Sequence, residues 1–93
     1  MAEIDVKQSE RDDTYQFDVT VRERGSQTRH EVTLNKDDYE RLTDGETSAK
    51  ELVVKSFRFL LKREPKESIL RSFDLTVISR YFPEYEREIR KRL

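Results

Sequence analysis

Tyr15-Gln16-Phe17-Asp18-Val19-Thr20-Val21, then Arg22-Glu23-Arg24-Gly25-Ser26-Gln27, then Thr28-Arg29-His30-Glu31-Val32-Thr33-Leu34: the reading of residues 15–34 decides the fold. Tyr15, Phe17, Val19 and Val21 alternate with Gln16, Asp18 and Thr20, the two-residue period of a strand with one buried face. Glycine tolerates a positive φ, so Gly25-Ser26 is the expected reversal. Beyond it Thr28, His30, Val32 and Leu34 alternate with Arg29, Glu31 and Thr33, and the two runs pair as an antiparallel hairpin.

Toward the amino terminus, Ile4 and Val6 alternate with Glu3, Asp5 and Lys7, which predicts a short strand near residues 3–8. Ser9-Glu10-Arg11-Asp12-Asp13 supplies turn chemistry between it and the hairpin, because short Ser and Asp side chains bond local backbone amides. The three strands make an antiparallel meander. In the other direction, Asn35 is a candidate N-cap that would accept from the Asp38 amide, with Asp37 and Asp38 placed against the positive end of the helix dipole. A helix over 36–43 would bury Tyr39 and Leu42.

At Asp44-Gly45 the chain changes character from acidic and alternating to basic and helix-periodic. Residues 1–44 hold seven Lys/Arg and twelve Asp/Glu, whereas residues 46–93 hold twelve and eight, so halves of −5 and +4 lie behind a net charge of −1. Such polarity suits either attraction between two layers of one fold or a binding face. Ser48 followed by Glu51 has the capping-box pattern, and Pro65 limits the following helix to about Arg63. Its residues Leu52, Val53, Val54, Phe57, Phe59, Leu60 and Leu61 cover more of the helix than a one-sided surface helix needs. This predicts a central helix over 48–63, with the sheet on one side and the carboxyl-terminal segment on the other.

In that last segment Leu75, Val77, Ile78, Tyr81, Phe82, Tyr85, Ile89 and Leu93 share one helical sector through Pro83, as in a helix kinked there or two nearly collinear helices. Residues 65–73 read equally as a short helix burying Ile69, Leu70 and Phe73 or as a strand alternating Ile69, Arg71 and Phe73. The fold class expected is α+β: a three-stranded antiparallel meander followed by three or four helices packed on one face, in a single domain over 1–93. Phe17, Val19, Val32, Leu52, Phe57, Leu60, Ile78 and Phe82 are the expected core.

Composition narrows the chemistry. Charged residues reach 42%, yet Leu, Ile, Val and Phe number 24 of 93 and the net charge is small, a balance that argues against intrinsic disorder. The absence of cysteine excludes a disulfide framework, a thiolate metal site and a cysteine nucleophile, and fits a cytoplasmic setting. No apolar stretch suggests secretion or a membrane span. A single histidine, His30, shares its strand face with Val32 and Leu34, which favours packing over catalysis. Asp12-Asp13 and Asp37-Asp38 lack the spaced ligands and central glycine of a calcium loop, and the isolated Gly25 and Gly45 make no phosphate-binding loop. Neither a cofactor nor a metal nor catalysis is expected.

Binding is the remaining expectation. Tyr81 and Tyr85, if left exposed, would suit a protein partner or a second copy of the chain, since aromatic residues are enriched at interface hot spots. The alternative is nucleic acid, bound by Lys55, Arg58 and Lys62 along one helix face, with Arg22, Arg24 and Arg29 near the hairpin tip and Arg87, Arg90, Lys91 and Arg92 at the end of the chain. Glu51, Glu86 and Glu88 stand four residues before Lys55, Arg90 and Arg92, so intrahelical ion pairs also explain those cations.

The passage Glu67-Ser68-Ile69-Leu70-Arg71-Ser72-Phe73-Asp74-Leu75-Thr76-Val77-Ile78-Ser79-Arg80-Tyr81-Phe82-Pro83-Glu84-Tyr85-Glu86 resembles segments of small uncharacterised bacterial proteins. The resemblance covers about a fifth of the chain. It implies a bacterial-type small domain and carries no activity or site residue.

Overall fold

In the computed structural model, which describes residues 2–93, strands β1 (Glu3–Arg11), β2 (Thr14–Glu23) and β3 (Ser26–Asn35) form the expected meander. Arg11 pairs with Thr14 and Glu23 with Ser26, so each reversal has two residues. The second reversal is Arg24-Gly25, one position before the expected Gly25-Ser26, and φ is positive at both residues, 54° and 78°. That geometry suits the right-handed twist of the paired strands. Val6, Phe17, Val19, Val21, Val32 and Leu34 are buried on one face of the sheet, while Asp5, Lys7, Asp18, Arg22, Arg29 and Glu31 lie exposed on the other.

The sheet has a fourth strand that corrects the three-stranded expectation. After α1 (Lys36–Thr43) and α2 (Ala49–Leu61), the chain makes a 3₁₀ turn at Lys66–Ser68 and enters β4 (Ser72–Asp74). β4 pairs parallel to β3, with Val32 opposite Phe73, so the sheet is mixed with order β1-β2-β3-β4. A parallel partner needs a long crossover, which the two helices supply. Of the two readings for residues 65–73, each fits part: a 3₁₀ turn first, then a strand.

α1 begins where expected, but Asn35 does not cap it through its side chain. Asn35 ends β3 opposite Thr14, and its Oδ1 accepts from the Thr14 hydroxyl at 3.2 Å, so the sheet edge takes the group that the helix would have used. α2 does start on a side-chain cap, with the Glu51 amide donating to Ser48 Oγ at 3.1 Å. It ends at Leu61, two residues before the expected Arg63.

The central position of α2 follows from its broad apolar face: Leu52, Val53, Phe57, Phe59 and Leu60 are all buried, and the helix packs against β1 and against α4 (Tyr85–Arg92). Ser56 is buried among them without an unmet polar group, since its hydroxyl donates to the Leu52 carbonyl at 2.8 Å. The expected core is buried throughout except Phe82, which is partly exposed and packs against it.

A single helical phase does not run through residues 75–93. A 3₁₀ turn at Leu75–Val77 leads into the four-residue α3 (Ile78–Tyr81), and Phe82 then leaves helical geometry at φ −131°, ahead of Pro83. Proline disfavours helical geometry in the residue before it. The interruption turns Phe82 inward, edge-on to Phe59 at 5.9 Å, and leaves Tyr81 facing out.

Opposite charges on the two halves do not zip the layers together. Among the described residues the ion pair that crosses from one half to the other is Arg41 with Glu86, at 2.7 Å, a cation of the acidic half with an acid of the basic half.

Candidate functional site

The end of α2 and the two irregular segments that follow it enclose a cleft of about 290 Å³. Leu60 and Glu64 form one wall, Ile69, Leu70 and Phe73 a second, and Val77, Ile78, Tyr81 and Phe82 close the third side, with Ser68 at the margin. The volume lies near the lower limit for ligand pockets and has room for one or two apolar side chains. Its floor is fixed by aromatic packing: Phe57 lies 6.1 Å from Phe73, and Phe59 meets Phe82 and Tyr85 edge-on.

At the mouth stand the two most exposed large apolar residues described, Tyr81 at 66% and Leu70 at 46%. Of the two tyrosines singled out in the sequence, only Tyr81 is at the surface. Tyr85 is fully buried against Phe59, and because the Ser56 proton goes to Leu52, the Tyr85 hydroxyl donates to Ser56 Oγ at 2.6 Å. Burial pushes the Tyr85 phenol well above its ordinary pKa. It belongs to the core because the first turn of α4 faces α2, and it presents no surface for a partner.

Among the described residues, Glu64 is the only charged one lining the cleft. Its amide donates to the Leu60 carbonyl, which sets the residue against the carbonyl end of α2. No cation or hydrogen-bond donor reaches its carboxylate among the described residues, and burial raises its carboxyl pKa. Neighbouring Arg63 is engaged elsewhere: its guanidinium lies 3.7 Å over the Phe59 ring, donates to the Phe59 carbonyl and pairs with Glu84 at 3.5 Å.

The cationic stripe is only partly free. Lys55 donates to the Arg92 carbonyl at 2.5 Å and stands 3.5 Å from Glu51, while Arg58 donates to the Ala2 carbonyl at 3.1 Å. Lys62 is exposed, with no partner among the described residues. At the hairpin, Arg22 pairs with Asp5 across β1 and β2. The outer face of the sheet, a broad depression of about 920 Å³, mixes Lys7, Arg22, Arg29, Lys50 and Arg71 with Asp5, Asp18 and Glu31.

His30 lies on the core face, 5.3 Å from the Phe57 ring, with both ring nitrogens engaged. A carbonyl can only accept, so Nδ1 carries a proton and donates to the Leu70 carbonyl at 2.7 Å, and in the neutral ring Nε2 accepts from the Thr28 hydroxyl at 2.8 Å. Burial lowers the His30 pKa, outweighing the Leu70 bond, which raises it; the Arg71 charge adds to the lowering. Asp18 and Glu31 point from the opposite face and do not converge on the ring. No group of three or more His, Asp or Glu residues stands ready to hold a metal ion among the described residues, and no helix among them is long and apolar enough to cross a membrane.

What the geometry defines is a small α+β domain with an apolar cleft at one end of its central helix. No family model, no curated protein and no solved structure matches the chain.

Proposed function

We propose that this chain is a non-enzymatic interaction module that docks a segment of a partner protein in the cleft between α2 and residues 68–82. The observation that carries the reading is the pairing of an apolar cleft with Leu70 and Tyr81 exposed at its mouth. A tyrosine half out of the fold supplies a large, stiff contact surface at low entropic cost, and adjoining apolar residues exclude water around it. In the cytoplasmic setting suggested by a cysteine-free sequence, the module needs no cofactor.

Nucleic acid binding has less support, because Lys55 and Arg58 already hold backbone carbonyls of their own chain and Lys62 stands alone. Phosphate recognition draws on several free cations at once. Self-association through the same cleft is a variant of the docking reading.

The test is recovery of bound material from cell extract, with nuclease, by wild type and by a Leu70→Ser/Tyr81→Ser variant shown to be folded. The docking reading expects a defined protein that survives nuclease and is lost with the variant. Recovery that disappears with nuclease, or that the variant retains in full, contradicts it. Light scattering on the purified chain identifies the self-associating variant, as a dimer that Tyr81→Ser dissociates.

A further inference from the structure

We propose that the segment received by the cleft carries a lysine or arginine close to an apolar anchor, the anchor entering between Leu70 and Tyr81 and the cation pairing with Glu64. The inference rests on the docking reading above and specifies the chemistry of the partner.

Glu64 is placed against three ordinary preferences. Among the described residues it is the only charge in a largely apolar lining, where Ser68 and the Tyr81 hydroxyl are the other polar groups. It follows the carboxyl end of α2, the negative end of the helix dipole, which favours a cation and disfavours an acid. It has no counter-charge among the described residues, even though Arg63 is adjacent, because Arg63 is committed to Glu84, to the Phe59 carbonyl and to the Phe59 ring. Departures from local preference that nothing within the fold offsets are expected at functional positions.

A cation brought by a partner relieves these costs together. It pairs with the carboxylate, stands at the end of the helix dipole that favours positive charge, and does so beside an apolar surface where the interaction is less screened than in open solvent. A neutral segment would cover Glu64 and leave its carboxylate without a partner, and an acidic one would add repulsion. Residues 46–93 carry +4 overall, so the cation is selected by contact with Glu64 and not by long-range attraction. Leu70 and Tyr81 extend the apolar surface beyond the cleft itself, which fits a polypeptide segment better than a small amine.

The experiment is selection from a displayed library of random short peptides against the whole 93-residue chain, followed by titration of the enriched peptides as synthetic compounds. Enriched sequences should place Leu, Phe, Met or Trp near Lys or Arg, and Tyr81→Ala should abolish or strongly weaken their binding. Glu64→Gln should weaken binding by about tenfold, as expected when one partner of a shielded charge pair is removed. Selection against Glu64→Lys should exchange the cation for Asp or Glu. Urea denaturation of each variant establishes that it is folded, and Leu70→Ser serves in place of Tyr81→Ala if the latter is not. Peptides that depend on Tyr81 but lack a cation, or that bind Glu64→Gln as tightly as wild type, overturn this inference and leave the docking reading standing. Failure to select any peptide that depends on Leu70 or Tyr81 overturns both.

Discussion

His30 and Leu70, 40 residues apart in sequence, are joined by a 2.7 Å hydrogen bond from the imidazole Nδ1 to the backbone carbonyl. The bond fastens one wall of the cleft to the sheet. One residue further on, the Glu31 amide donates to the Arg71 carbonyl at 2.7 Å, and β4 continues the pairing from there. Leu70 can therefore be exposed through its side chain while its backbone is held.

Removing the histidine donor should leave a half-buried carbonyl unmet. His30→Leu should cost about 1–3 kcal/mol in urea denaturation, with faster hydrogen exchange at the Glu31 amide. Acid should act through the same residue. Its folded-state pKa is lowered below the ordinary 6.5, so the unfolded chain binds the proton first. The contribution of the neutral ring is complete above 6.5 and is lost as pH falls from there through the folded-state value. Comparison of stability against pH for wild type and His30→Gln should show a component of acid destabilisation that the variant lacks; parallel curves would contradict this account of the ring.

Tyr85 and Ser56 should behave as a buried pair. Tyr85→Phe keeps the ring packed on Phe59 but removes the donor to Ser56, and should cost about 1 kcal/mol. A cycle with Ser56→Ala should give a coupling energy distinguishable from zero. In an alkaline absorbance titration the Tyr85 phenol should stay protonated past the ordinary tyrosine range for as long as the chain is folded, because burial disfavours the phenolate.

Phe57 and Tyr81 mark the contrast between core and surface. Phe57 is fully buried between His30 and Phe73, and Phe57→Ala should cost about 3–5 kcal/mol. Tyr81→Ala should change stability by no more than about 0.5 kcal/mol. Equal losses in urea denaturation would mean that Tyr81 is part of the core.

The meander, α1 and the central α2 were legible because each announces itself over several residues: the alternation of 15–21 and 28–34, and the broad apolar face of 52–61. β4 was not, since three residues are too few to show a period and its pairing is decided by β3, far back in the chain. The exposure of Tyr81 was also hidden. Its helical phase assigns it to the same sector as Ile78 and Tyr85, but α3 ends at Tyr81 and α4 packs as a separate helix, so Ile78 and Tyr85 are buried while Tyr81 is exposed. Asn35 shows local chemistry yielding to tertiary pairing, its side chain drawn from the helix start to Thr14. Glu64 gave no signal, because a lone acid before Pro65 is unremarkable until the cleft is assembled around it.

Whether the cleft docks protein is tested most directly by replacing Tyr81, and separately Lys62, with the photo-crosslinker p-benzoylphenylalanine in growing cells and identifying the adducts. The account predicts discrete protein adducts from position 81 that resist nuclease and fade when Leu70→Ser is added, with few from position 62. Adducts that form at position 62 and not at 81, and that nuclease removes, would contradict it and favour nucleic acid.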